Sequence, residues 1–383
     1  MSTTRPPDWN PRDPSVLRDQ RAAYDAMRAR CPVAYSDFLG WSLFRHEDVM
    51  GVLADPETYS SRSRHTAVPN GMDPPEHGPY RHALDPYFTP EWMARFEPQC
   101  RSIASRLVGT LLAAEDAEYV TRFAEPFTLQ TACAFLGWPT DMWESLRGWT
   151  HGNQEAAFSR NREAGTRLAQ EIAGYVIEQL RVRRDAGSSD NRDVTTGLMA
   201  TEVEGKPLTD EEIVSVIRNW IAGHGTVAAS LGILALHLAT HPADQQRLRA
   251  DPALLPAAIE EILRTDGPLV ANRRTATRAV TIGGRPIPAG ERLTLIWIAA
   301  NRDERAFDDA DMVRFDRDPA NNLLFGAGIH VCQGAPLARL EMRVAIEELL
   351  ARTSTIALAG AALPERTVYP SNGPARVPLR LQA

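Results

Sequence analysis

The ten residues from Phe325 to Gly334, F-G-A-G-I-H-V-C-Q-G, place three glycines around one cysteine directly ahead of a helical pattern. Glycine tolerates close approach of a flat ligand and backbone turns closed to other residues, so such a loop suits a cradle for a planar cofactor. Cys332 would then touch the cofactor's metal through its sulfur. Two plainer readings compete: a buried loop cysteine, and half of a zinc site with His330. Zinc takes about four ligands, and no second Cys/His pair lies at finger-like spacing, so the zinc reading fails first.

Other spacings carry weaker signals. Glu261 and Arg264 stand three apart on one helical face, and Arg314 follows in M-V-R-F. Read alone, such a pair is a solvated surface charge. His77 and Arg81 stand four apart, and with Arg274 and His330 they are types that bind carboxylates well. Each taken singly is a surface residue or a satisfied core histidine. Ala222-Gly-His-Gly-Thr226 sets a hydroxyl and an imidazole inside an apolar run.

These groups need scaffolding. Thr209-Asp-Glu-Glu212 has capping-box form, and Ile213, Ile217, Ile221, Val227, Leu231, Leu234 and Leu238 then recur as a very long helix requires, up to His241-Pro242. The uncharged run from Asn219 to Ala239 raises a membrane question, but its polar residues and glycines favour a helix buried in a large protein. Helices are also expected over Val16 to Arg30, Asp48 to Ala54, much of Glu91 to Gly187, Pro252 to Thr265 and Ala335 to Arg352. A hairpin turns through Ser36 to Gly40, and Val270 to Ile298 is β-rich. Ser60 to Pro79 is an irregular loop suited to substrate access, and Gly187 to Arg192 a polar linker.

A chain of 383 residues with 43% hydrophobic and 24% charged residues buries a large core. Its net charge of -7 argues against a nucleic-acid binder, and four scattered cysteines suggest a reducing, cytoplasmic compartment. The polar, proline-rich residues 1–14 form a flexible N-terminal segment without the apolar core of a signal peptide or membrane anchor. No repeat or interdomain linker interrupts the chain, so one domain over 1–383 is expected.

The loop fits F-G-x-G-x-H-x-C-x-G at all six fixed positions and resembles the cysteine-ligand loop of the cytochrome P-450 superfamily of haem-thiolate monooxygenases. Glu261-Ile-Leu-Arg264, Asp73-Pro-Pro-Glu-His77 with Arg81, Arg274-Thr-Ala276, Asn301-Arg-Asp303 and Leu337-Ala-Arg339-Leu-Glu341 extend the similarity from about Pro32 to the C-terminus. The resemblance implies a mainly α fold with small β-sheets, a single triangular domain holding haem b (iron protoporphyrin IX) between the long central helix and the helix after the cysteine loop. It assigns Cys332 as axial thiolate and Phe325, Gly326 and Gly334 to the cradle. His77, Arg81, Arg274 and His330 would hold the propionates. Glu261, Arg264 and Arg314 would form a buried ion network supporting the loop.

By the same resemblance Ala222 makes room for dioxygen and Thr226 manages protons. The residue before that threonine is commonly acidic in the family; here it is Gly225, which leaves His224 as a substitute in the relay. Ile221, Ala222 and Val270 would line the substrate pocket, with Arg218 as a carboxylate anchor or an internally paired cation. Arg339 and Arg343, four apart, would face an acidic redox partner unless they are paired internally.

The implied activity is insertion of one oxygen atom from dioxygen into a small organic substrate, aromatic ones included, by hydroxylation or O-dealkylation. Electrons would come from a separate ferredoxin or flavin/iron–sulfur reductase, since no such motif is present. A peroxide-dependent haem peroxygenase, a non-enzymatic haem sensor or carrier, and a cysteine hydrolase are the alternatives.

Overall fold

The computed structural model describes residues 5–62, 67–187 and 193–382, so most of the polar linker and part of the irregular loop lie outside the described residues. The helix expected over Val16 to Arg30 is two helices. Asp13 accepts from the Ser15 amide to open Pro14–Arg18, and Asp19 accepts from the Ala22 amide to open α1 (Gln20–Arg30). Two N-caps so close together break the helical run between them. The described part of the N-terminal segment is anchored rather than flexible. The Asp8 amide donates to Tyr35 O at 2.9 Å, the Asp8 carboxylate pairs with Arg285 at 2.9 Å, and Trp9 is buried edge-on to Tyr24 and Phe44.

The hairpin forms as read. β1 (Val33–Ser36) pairs antiparallel with β2 (Gly40–Leu43), and α2 (His46–Ala54) and β3 (Tyr59–Ser60) follow. Gly40 has φ +71°, and a Cβ there would stand 2.5 Å from Arg292 O, so the turn demands glycine. With β4 (Ala271–Ala276) and β5 (Arg292–Ile296) these strands make a five-stranded sheet in the order β1-β2-β5-β4-β3, in which β5 runs parallel to β2.

The helical part runs from α3 (His77–Leu84) through α4 (Pro90–Leu112), α5 (Glu125–Leu136), α6 (Trp143–Ser159) and α7 (Arg162–Ala186) to the long helix α8 (Asp210–Thr240). Thr209 and Glu212 close the capping box that starts α8. The apolar positions named from its period are buried, and the most apolar window of α8, long enough to cross a membrane, is 67% buried inside the protein. Pro242 opens a further helix, Pro242–Ala250, since a proline in a first turn costs no hydrogen bond. α9 (Leu255–Thr265) and α10 (Ala335–Ala351) complete the frame, and the chain from Ala300 to Gly334 is largely irregular. α10 packs against both α4 and α8, which sets the cysteine loop at its start beside the middle of the long helix.

Candidate cofactor and active site

The cysteine loop is built by short-range bonds. The Cys332 amide donates to Phe325 O at 2.8 Å and Gly326 N to Leu323 O at 2.9 Å, while Gly326 and Gly328 each take φ +71°. At Gly328 a Cβ would lie 2.5 Å from Leu53 O of α2, so the loop also demands close approach to its neighbour. Gly334 leads into α10, and Ala335 N donates to Cys332 O. Burial pushes the Cys332 thiol up, while the amides of Gly334 and Ala335 and the charges of Arg81 and Arg339 pull it down. The side chain is nonetheless accessible, and beside it Ile329 and Val331 are 37% and 40% exposed. An accessible thiol rimmed by bare aliphatic groups suits an apolar partner. Among the described residues, no three His, Cys, Asp or Glu side chains gather as metal ligands.

The four residues read as carboxylate binders converge at one edge of this loop. The rings of His77 and His330 lie 4.3 Å apart, and the Nε2 atoms of both are buried without a hydrogen-bond partner. Arg81 donates to Val331 O at 2.6 Å, and the buried Arg274 donates to Arg273 O at 2.7 Å. Burial, then the charges of Arg274 and His77, hold the His330 imidazole down at about 4. Burial and Arg81 lower His77, and burial lowers Arg274, which Asp73 partly offsets. Unsatisfied donors in a cationic field call for an anionic group. A thiol, an apolar rim and this cluster together fit haem, a flat apolar ring with a soft-ligand metal and two carboxylates.

The middle of α8 carries small residues. Ala222, Gly225 and Thr226 are half-buried, whereas Ile221 and His224 are buried. Successive helical residues are about 100° apart, so His224 projects almost opposite to Ala222 and Thr226. Its Nδ1 lies 3.4 Å from Glu341 Oε1 of α10, within ion-pair range although neither atom makes a hydrogen bond. The expectation that His224 stands in for the missing acid beside Thr226 is therefore corrected.

Two of the three expected pocket residues are core residues. Ile221 packs in the main helical cluster. Val270 packs with Trp9, Tyr24 and Phe38, because neighbours along extended chain face opposite ways and its neighbour Leu269 takes the other side. Ala222 is half-buried at the margin of the main helical cluster, and Arg218, one turn earlier, is half-buried and already engaged, with burial lowering its pKa. The access loop is strapped to α8: Val68 N donates to Ser215 Oγ at 2.9 Å and Asn219 Nδ2 to Val68 O at 3.1 Å.

Behind the cysteine, Arg264 grips Glu261 with two hydrogen bonds of 2.8 and 2.9 Å and donates to the carbonyls of Asn301, Ala310 and Met312. Burial raises the Glu261 carboxyl, but Arg264 and Arg317 outweigh it and hold the group below the usual range. The third side chain of this network is Arg317, whose Nε reaches Glu261 Oε1 at 2.8 Å, and not Arg314. Arg314 contributes its backbone amide to Glu261, while its guanidinium turns outward to Asp316 and Asp309. The loop bearing both arginines is irregular, so no period told which side chain turns inward.

Arg339 pairs with Glu260 at 2.6 Å and lies over the Phe325 ring at 4.5 Å, and Arg343 pairs with Glu97 and Glu347 at 2.7 and 3.0 Å. Both border a cleft of about 950 Å³ that also touches Phe325, Gly326 and Val331. A second cleft, of about 620 Å³ between α4, α5 and Trp143, is remote from the cysteine loop. Glu341 was quoted in the sequence only as the end of the Leu337 to Glu341 stretch, without a role, and Gln154, whose amide approaches Gly225, was not singled out, because both act across elements far apart in the chain.

A family model described as Cytochrome P-450 matches residues 141–357. The cyclomarin C epoxidase of Salinispora arenicola is 34% identical over 340 residues, covering 84% of this chain and 85% of the relative. The erythromycin C-12 hydroxylase of Saccharopolyspora erythraea is 35% identical over 357 residues, with 88% of each covered. A solved structure from Bacillus megaterium, in complex with corticosterone, superposes with a TM-score of 0.86 at 27% identity, covering 96% of this chain and 100% of that one.

Proposed function

The chain belongs to the cytochrome P-450 family and is a monooxygenase with that family's fold, and from that premise we propose that it carries haem b on Cys332 and oxygenates an organic substrate by hydroxylation or O-dealkylation. The observation that carries this reading is the accessible Cys332 at the start of α10, with the His77, Arg81, Arg274 and His330 cluster at one edge. Thiolate-ligated haem supplies the activation of dioxygen and favours O–O cleavage.

The protein's residues do the rest. The amides of Gly334 and Ala335 would stabilise the thiolate, Arg81 and Arg274 would offset the propionate charges, and His77 and His330 would donate hydrogen bonds to them. Ala222, a small residue, would leave room for dioxygen, and the Thr226 hydroxyl would donate or accept a hydrogen bond beside it. Glu261, Arg264 and Arg317 keep the loop rigid from behind. The relatives named as a cyclomarin C epoxidase, an erythromycin C-12 hydroxylase and a linalool 8-monooxygenase, and the corticosterone bound in the solved neighbour, support oxygenation of an organic substrate. A separate ferredoxin or flavin/iron–sulfur reductase delivers electrons from the side of the 950 Å³ cleft.

The reduced protein with carbon monoxide is expected to show the thiolate-ligated Soret band, and Cys332→Ala to lose it. Retention of the band in that variant overturns the assignment. Efficient turnover with peroxide and none with dioxygen and a reductase pair replaces the monooxygenase reading with the peroxygenase one.

A further inference from the structure

We propose that Gln154 of α6 supplies, from across the groove, the polar group that Gly225 leaves out of α8: its carboxamide holds water in hydrogen-bonding order beside Thr226. Gln154 is thus a positioning residue, and the inference rests on the monooxygenase reading.

Gly225 directly precedes Thr226. A Cβ at Gly225 would stand 3.0 Å from Thr150 Cγ2 and 3.2 Å from Gln154 Nε2, both on α6. Ordinary contacts are longer, so the glycine is what lets α6 come this close, and an acid here would have to push α6 away. Thr150 spends its hydroxyl on Leu146 O in its own helix, at 2.8 Å, and turns its methyl toward α8. Gln154, one turn further along, turns its amide nitrogen to the same spot.

Neighbouring groups are committed elsewhere. His151 and Arg147 both bind Glu125, at 2.7 and 2.8 Å, and His224 faces Glu341. A carboxamide offers two donors and one acceptor and carries no charge at any working pH. It can therefore order a bridging water that the Thr226 hydroxyl also reaches, without a titration of its own near neutrality.

The test uses the haem-loaded enzyme, a surrogate ferredoxin and ferredoxin reductase, and corticosterone as probe ligand. Peroxide released per NAD(P)H oxidised is the readout, so no product need be known. Gln154→Ala is expected to keep the carbon monoxide band and to raise peroxide relative to coupled oxygen use by about tenfold, the worth of one hydrogen bond. Gln154→Glu is expected to restore low peroxide release while adding a pH-dependent limb that the wild type lacks.

A second arm needs no turnover. Gly225→Ala is expected to lower Tm, against the usual gain from Gly to Ala in a helix, and Thr150→Ser, which removes the Cγ2 methyl and keeps the hydroxyl, is expected to restore it. A raised Tm in Gly225→Ala, or wild-type peroxide release in Gln154→Ala, overturns the inference. Loss of the carbon monoxide band in both Gln154 variants also overturns it, in favour of a packing role. Absence of any reductase-driven oxygen use by the wild type defeats the monooxygenase reading instead.

Discussion

His330 shows how a single side chain marks a site suited to an anion. It is held neutral to about pH 4 by burial and by Arg274 and His77, whereas a free histidine titrates near 6.5. Below about 6.5 the unfolded chain takes up a proton that the folded haem-free protein refuses. Stability of that form therefore falls as pH drops from about 6.5 to about 4. Thermal unfolding of haem-free protein is expected to show this slope, and His330→Gln to flatten it. Haem should flatten it too, since two propionates reverse the local field. An equal slope in His330→Gln assigns the loss to other groups. Such residues were legible because their spacing is local: Cys332 and its glycines, His77 with Arg81, and Glu261 with Arg264 each lie within one loop or a few turns of helix. Arg317 was not, because the direction of a side chain in irregular chain is chosen by tertiary partners.

At the scale of elements, α8 packs directly against α10, and the packing includes a buried polar contact. Glu341 is fully buried with neither oxygen hydrogen-bonded, and His224 is its neighbour at 3.4 Å. Removing one partner of a buried pair leaves the other polar group stranded and costs about 3–5 kcal/mol, whereas removing both is close to neutral. Denaturant unfolding of haem-loaded His224→Leu, Glu341→Leu and the double variant measures this. The double variant is expected to be more stable than His224→Leu, and simple additivity of the two losses would show that the groups are not coupled. Elements themselves were legible where the apolar period was long, as in α8. Helix ends were legible where a cap or proline signalled them, but Asp19 restarted a helix that the apolar pattern carried straight through. The pairing of His224 with Glu341 depends on how two helices cross, and no one-dimensional pattern encodes that.

For the whole molecule, the open question is where electrons enter a chain of net charge -7. An acidic protein attracts an acidic redox partner only through a local basic face. Arg339 is the candidate nearest the cysteine: it borders the 950 Å³ cleft, stacks on Phe325 of the loop, and its side chain is 53% exposed. Its ion pair with Glu260 does not cancel this role, because an exposed pair is worth at most about 1 kcal/mol and leaves guanidinium donors free to turn outward. Arg343 is the weaker candidate, less exposed and held between Glu97 and Glu347. Arg339→Glu is expected to slow reduction by a ferredoxin at low salt, leave the ligand-induced spectral shift intact, and reduce the steepness with which added salt slows electron transfer. Arg343→Gln should change that salt dependence less. The salt slope is the deciding quantity, since a purely structural role for Arg339 in steadying Phe325 would lower the rate by the same factor at every ionic strength. An unchanged slope in Arg339→Glu therefore moves the docking face elsewhere on the molecule.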